Sequence, residues 1–97
     1  MKNEVTVSEQ VTQFLGALAP EPKKKLRAGI RSLDSDRGDI KDLVDALTGY
    51  KRLRVGHFRV IYREAFENGM PVRKCLCAER RNVVYEVFTE ILLSDLT

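Results

Sequence analysis

The sequence predicts a small α+β domain, a twisted antiparallel sheet packed by an N-terminal helical hairpin in the order β-α-α-β-β-β-α. Three observations carry this. Residues 50–62 alternate charged and apolar side chains on either side of Gly56, the period-two pattern of strands with one wet and one buried face. Residues 11–33 hold two apolar stripes at helical spacing, separated by Pro20 and Pro22. Residues 83–92 repeat adjacent apolar pairs every four positions, which is a third helix. A chain of 97 residues supports one core, so residues 1–97 read as a single domain.

Taken in order, Glu4-Val5-Thr6-Val7 is a first short strand, and the Ser8 hydroxyl is placed to cap the helix that follows. Val11, Phe14, Leu15 and Leu18 form that helix's apolar stripe. Ala19-Pro20-Glu21-Pro22 ends it, and a proline suits the first turn of the next helix, whose buried side is Leu26, Ile30 and Leu33. Two helices so joined make a hairpin. Asp34 to Asp39 is a polar loop, and Ile40, Leu43 and Leu47 suggest a short helical or irregular connector. Gly56-His57 is the tight turn of a β-hairpin, and Asn68-Gly69 supplies the positive-φ residues of a second one. Residues 72–78 are the strand after it, and Val83, Val84, Val87, Phe88, Ile91 and Leu92 form the closing helix with Tyr85 at the edge of its stripe.

Charge is unevenly placed. Residues 1–49 balance eight basic against eight acidic side chains. Residues 50–81 hold nine (Lys51, Arg52, Arg54, Arg59, Arg63, Arg73, Lys74, Arg80, Arg81) against Glu64, Glu67 and Glu79. A neutral half followed by a basic sheet suggests a local anion-binding surface, nucleic acid being the first candidate. The N-terminus lacks the apolar core of a signal peptide, and no apolar run approaches the roughly 20 residues of a membrane span. Cys75 and Cys77 on one strand are expected to share a face, where a disulfide between them would be badly strained. Buried thiols in a reducing cytoplasm are therefore expected, and two cysteines with one histidine make no zinc site. The pleat is expected to gather Arg52, Arg54 and Arg59 on one sheet face, where three guanidiniums repel one another unless an anion lies between them.

Those residues carry a resemblance. Tyr50-Lys51-Arg52-Leu53-Arg54-Val55-Gly56-His57-Phe58-Arg59-Val60-Ile61-Tyr62, with the basic pair before a tyrosine in Arg80-Arg81-Asn82-Val83-Val84-Tyr85, resembles the RelE/ParE superfamily of type II toxin–antitoxin toxins. The likeness spans nearly the whole chain. It implies a RelE-like fold, a cytoplasmic toxin without cofactor or metal, and a cognate antitoxin as partner. It also implies one of two activities. One branch cleaves mRNA on the ribosome through attack of the 2′-OH on the neighbouring phosphorus; another poisons DNA gyrase without cutting RNA. A degenerate relative that only binds its partner is a third reading.

By resemblance to the nuclease branch, Arg59 and Arg81 would hold the scissile phosphate and Tyr85 would stack on a base or assist proton transfer. Arg52, Arg54, Arg80 and Lys51 would bind substrate. Arginine suits that work because its planar fork pairs with phosphate oxygens and keeps its charge. Positions 52 and 54 depart from lysine, and arginine is a poor base, so the proton acceptor stays open among His57, Lys51 and Glu79. Lys23-Lys24-Lys25 is read as an exposed helix face or a contact for ribosomal RNA or an acidic partner segment.

Overall fold

A computed structural model describes residues 2–96. The elements run β1 (Glu4–Val7), α1 (Glu9–Gly16), α2 (Pro20–Arg31), β2 (Asp39–Asp42), β3 (Lys51–Val55), β4 (Phe58–Glu67), β5 (Met70–Arg80) and α3 (Val84–Ser94), with single turns of 3-10 helix at Ser32–Ser35 and Asp45–Leu47. The five strands lie in the order β1-β5-β4-β3-β2.

Local chemistry accounts for most of these boundaries. The Ser8 hydroxyl accepts from the Val11 N–H at 3.3 Å, capping α1. It also donates to the Leu76 carbonyl at 3.0 Å, so the cap ties the helix to the sheet. Pro20 opens α2, where its missing N–H costs nothing. Gly56 turns β3 into β4 with φ +58 while His57 keeps a negative φ, the type II′ pattern. Asn68 and Gly69 both take positive φ between β4 and β5, the type I′ pattern.

The predicted class holds, and the sheet differs from the expectation in three respects. First, the region read as connector contains a strand: β2 pairs antiparallel with β3, Asp39 opposite Arg54 and Lys41 opposite Arg52. Ile40 is its single apolar residue, so side-chain alternation could not announce it; pairing with β3 makes it a strand. Second, β1 runs parallel to β5, from Glu4 opposite Val72 to Val7 opposite Cys75, so the sheet is mixed. Alternation fixes faces and is blind to strand direction. Third, β4 and β5 slip register between Ile61, opposite Cys77, and Tyr62, opposite Cys75, which leaves Leu76 as the extra residue of a β-bulge. The bulge sends the two cysteines to opposite faces, correcting the expectation that they share one.

Each face has its own core. α1, α2 and the 3-10 turn that follows α2 cover Leu53, Val60, Tyr62, Cys75 and Ala78 with Val11, Leu26, Ile30 and Leu33. A side-chain carbon at Gly29 would come within 2.6 Å of Val55, so glycine there permits the close approach of α2 to β3. On the other face α3 lays Val84 and Phe88 over Ile61 and Cys77, and Tyr50 meets Phe88 edge-on with ring centroids 5.0 Å apart. Both cysteines are free and buried, and burial pushes each thiol up to about 12. At neutral pH both stay protonated and poorly reactive.

Candidate nucleic-acid interface

The α3 face of the sheet changes character toward the β3–β4 turn. Arg54 and Arg59 are direct cross-strand partners, so their side chains leave the same face side by side, an arrangement that destabilises like charges. Arg52, two residues before Arg54, shares that face. Arg81 joins them because its backbone N–H donates to the His57 carbonyl at 2.9 Å, folding the end of β5 against the hairpin turn. Tyr85 follows in the first turn of α3, 41% exposed. Burial holds Arg59 below its ordinary value; Arg54, Arg52 and Arg81 add to the depression and Tyr85 opposes it. These five side chains therefore share one electrostatic neighbourhood, and Arg59 stays charged within it.

Their partners are sparse. Asp39 Oδ1 lies 3.2 Å from Arg52 Nη2, and Asp39 Oδ2 lies 3.9 Å from Arg54 Nη1. Arg59 Nη1 donates to the carbonyls of Gly56 at 2.8 Å and Phe58 at 2.9 Å. Among the described residues, Arg59 and Arg81 have no carboxylate partner. The result is four guanidiniums against a single aspartate.

Two residues expected at this site are not brought into the cluster. Arg80 belongs to the opposite face, its guanidinium 5.9 Å from the ring centres of both Phe14 and Phe58, where it supports the helical hairpin through cation–π contact. Lys51 shares the face of Leu53, pairs with Asp42 and lies 3.4 Å from Glu64. Of the three side chains weighed as proton acceptors, Glu79 is the one whose register partner is Arg59; its carboxylate accepts from the Arg80 N–H at 3.1 Å. His57 is exposed in the turn. Sequence reasoning missed Asp39, which it assigned to a loop, because nothing in Asp39-Ile40-Lys41-Asp42 marks a strand facing Arg54.

A mixed five-stranded sheet carries a helical hairpin on one face and, on the other, a terminal helix beside an arginine cluster. No protein-family model matches the sequence, and no curated protein matches it. Solved structures do. The RelBE2 toxin–antitoxin complex from Mycobacterium tuberculosis contains a chain similar at TM-score 0.69 and 20% identity, over 84% of this chain and 100% of that one. The YoeB/ParE toxin from Agrobacterium tumefaciens gives 0.65 and 14%, over 80% and 98%. The archaeal RelE–RelB complex from Pyrococcus horikoshii gives 0.63 and 25%, over 84% and 97%. The chain has the fold of the RelE/ParE toxin superfamily, the superfamily to which residues 50–62 and 80–85 also point. No helix among the described residues is long and apolar enough to cross a membrane.

Proposed function

We propose that residues 1–97 form the toxin domain of a type II toxin–antitoxin pair and act as a metal-independent endoribonuclease on translated mRNA, blocking protein synthesis in the cytoplasm. The observation that carries this is the un-neutralised pair Arg59 and Arg81 beside the exposed ring of Tyr85. In the reaction the 2′-oxygen attacks the adjacent phosphorus in line, a 2′,3′-cyclic phosphate forms and the 5′-oxygen leaves. One proton departs from the 2′-hydroxyl and another reaches the leaving oxygen. Arg59 and Arg81 offset the charge that builds on the non-bridging oxygens, an effect on the order of 10²-fold or more in rate per fixed cation. Arg52 and Arg54 extend the cationic track along the strand, and Tyr85 offers a ring to a neighbouring base. Glu79, beside Arg59 in the ladder, is the best placed proton acceptor of those considered.

The partner in this reading is a cognate antitoxin, as in the similar RelB–RelE antitoxin–toxin complex from Methanococcus jannaschii. It would cover the cationic face or displace α3. A second basic surface supports an acidic segment in such a partner: the groove of Val5, Val7, Leu15 and Ile30 is rimmed by Lys23, Arg27 and Arg31.

The gyrase-inhibitor reading is favoured by one feature: Lys51 is absent from the cluster, and Glu79, the base beside Arg59, already accepts from the Arg80 N–H. Inducing the chain in cells and mapping 5′ ends on translated messages separates the readings. The expected result is new cuts inside reading frames that vanish in Arg59→Ala. Growth arrest with DNA-damage signalling and no cuts would move the assignment to gyrase, and no phenotype would leave a partner-binding relative.

A further inference from the structure

We infer that Asp39 is an internal counter-anion of the arginine cluster, a positioning residue that a substrate phosphate displaces and that thereby sets the affinity of the site. The inference rests on the reading of that cluster as a phosphate site. Asp39 sits on the edge strand β2 directly opposite Arg54, and its two carboxylate oxygens reach separate guanidiniums, Arg52 at 3.2 Å and Arg54 at 3.9 Å. Among the described residues no other carboxylate is paired with the cluster.

The geometry of Arg52 gives this pairing a direction. Its Nε is buried without a hydrogen-bond partner, while Asp39 engages only Nη2. A buried donor left unmade is costly. Asp39, held by the β2 backbone, uses one corner of the guanidinium; a phosphate, free to approach along the fork, can accept from two of its N–H groups at once. Exchange of Asp39 for phosphate therefore replaces a contact at one corner of Arg52 and a long one to Arg54 with a ligand that can engage a guanidinium through two N–H groups. Charge on a short edge strand also discourages strand addition, but Asp42, opposite Lys51 on the other face, supplies that on β2 without touching the cluster.

The test is binding of a short all-deoxy single-stranded oligonucleotide, which has no 2′-hydroxyl to react, followed by fluorescence anisotropy. Asp39→Asn, Asp39→Glu and Arg59→Ala are compared with the unsubstituted chain over a salt series. Asp39→Asn should tighten binding by about 5-fold, the upper range for an exposed charge pair. The slope of log K against log salt should steepen by roughly 0.7, one more phosphate neutralised on a single strand. Asp39→Glu should return both values toward those of the unsubstituted chain. In that chain the Arg52 Nε–H resonance should shift as the oligonucleotide is added, a readout independent of any variant's folding. Unchanged or weaker binding by Asp39→Asn, with Arg59→Ala still weakening it, would overturn the role of Asp39 alone. Arg59→Ala without effect would overturn the phosphate site and the inference with it, and a static Arg52 resonance would overturn the exchange.

Discussion

Two groups of charges on this sheet have opposite fates. At the end away from the β3–β4 turn, on the side of the helical hairpin, Arg73 is 8% exposed and fully engaged. Its Nε and Nη2 lie 2.9 and 3.2 Å from the two oxygens of Asp36, and Nη2 lies 2.7 Å from Glu64. Glu64 also meets Lys51, which holds Asp42. Two cations there face three carboxylates. At the other end, on the α3 side, Arg52, Arg54, Arg59 and Arg81 have among the described residues Asp39 as their one ion-paired carboxylate, Glu79 standing opposite Arg59 in the ladder without an ion pair. A charge taken from water must be paired or it destabilises the fold, and the first group obeys that rule. The second group keeps like charges together at a cost to the fold, the pattern expected of the phosphate site proposed for it.

The sharpest way to break this contrast is to delete one arginine from each group and measure both activity and stability. Arg59→Ala should reduce RNA cleavage by about 10²-fold or more and leave the melting temperature unchanged or raised, since it removes repulsion and only two bonds to carbonyls. Arg73→Ala should do the reverse on stability. It strands Asp36, leaves Glu64 with Lys51 alone, and should lower unfolding free energy by roughly 2 kcal/mol, less than a fully buried pair because both carboxylates are half exposed. Similar stability losses in the two variants would erase the distinction.

How far the sequence carried these conclusions differs by element. The β3–β4 and β4–β5 hairpins were legible because strict alternation and Gly56 and Asn68-Gly69 say the same thing at two levels. The meeting of Arg52, Arg54 and Arg59 follows from that, as a hairpin with a two-residue turn fixes register. The strand β2 was not legible, since its stability lies in pairing with β3 and not in its own pattern. The bulge at Leu76, and with it the separation of Cys75 from Cys77, depends on long-range packing of two different cores. Arg80 and Arg81 are adjacent letters with different fates. Arg80 still belongs to the ladder opposite Phe58, whereas Arg81 has left it for the turn, and only the end of β5 decides which is which. Arg73 gave no signal because its partner Asp36 is 37 residues away.

A gentler probe of the paired group is acid. Asp36 lies below its ordinary value of 3.8, chiefly through the hydrogen bond from Arg73. A carboxyl whose folded value is depressed contributes stability that is present above 3.8 and lost as pH falls through the folded value. Asp36→Asn should therefore be less stable than the unsubstituted chain at neutral pH, and the two stabilities should converge as pH drops below 3.8. Parallel curves in denaturant titrations across that range would show that the Arg73 pairing does not contribute in this way.

The smallest expected change sharpens the open end of the contrast. Tyr85 stands beside Arg59 with its ring exposed, and no hydrogen bond among the described residues holds its hydroxyl. A phenol that nothing orients is poorly placed for proton transfer, whereas an exposed ring needs only its face to stack on a base. Tyr85→Ala should therefore cost about 10-fold in cleavage, within the range for losing one base-stacking ring. Tyr85→Phe should stay within about 3-fold, since it retains the ring. Loss of 10²-fold or more in the phenylalanine variant, the scale of a general acid or base, would move the hydroxyl into the chemistry and leave the arginines as binders of charge.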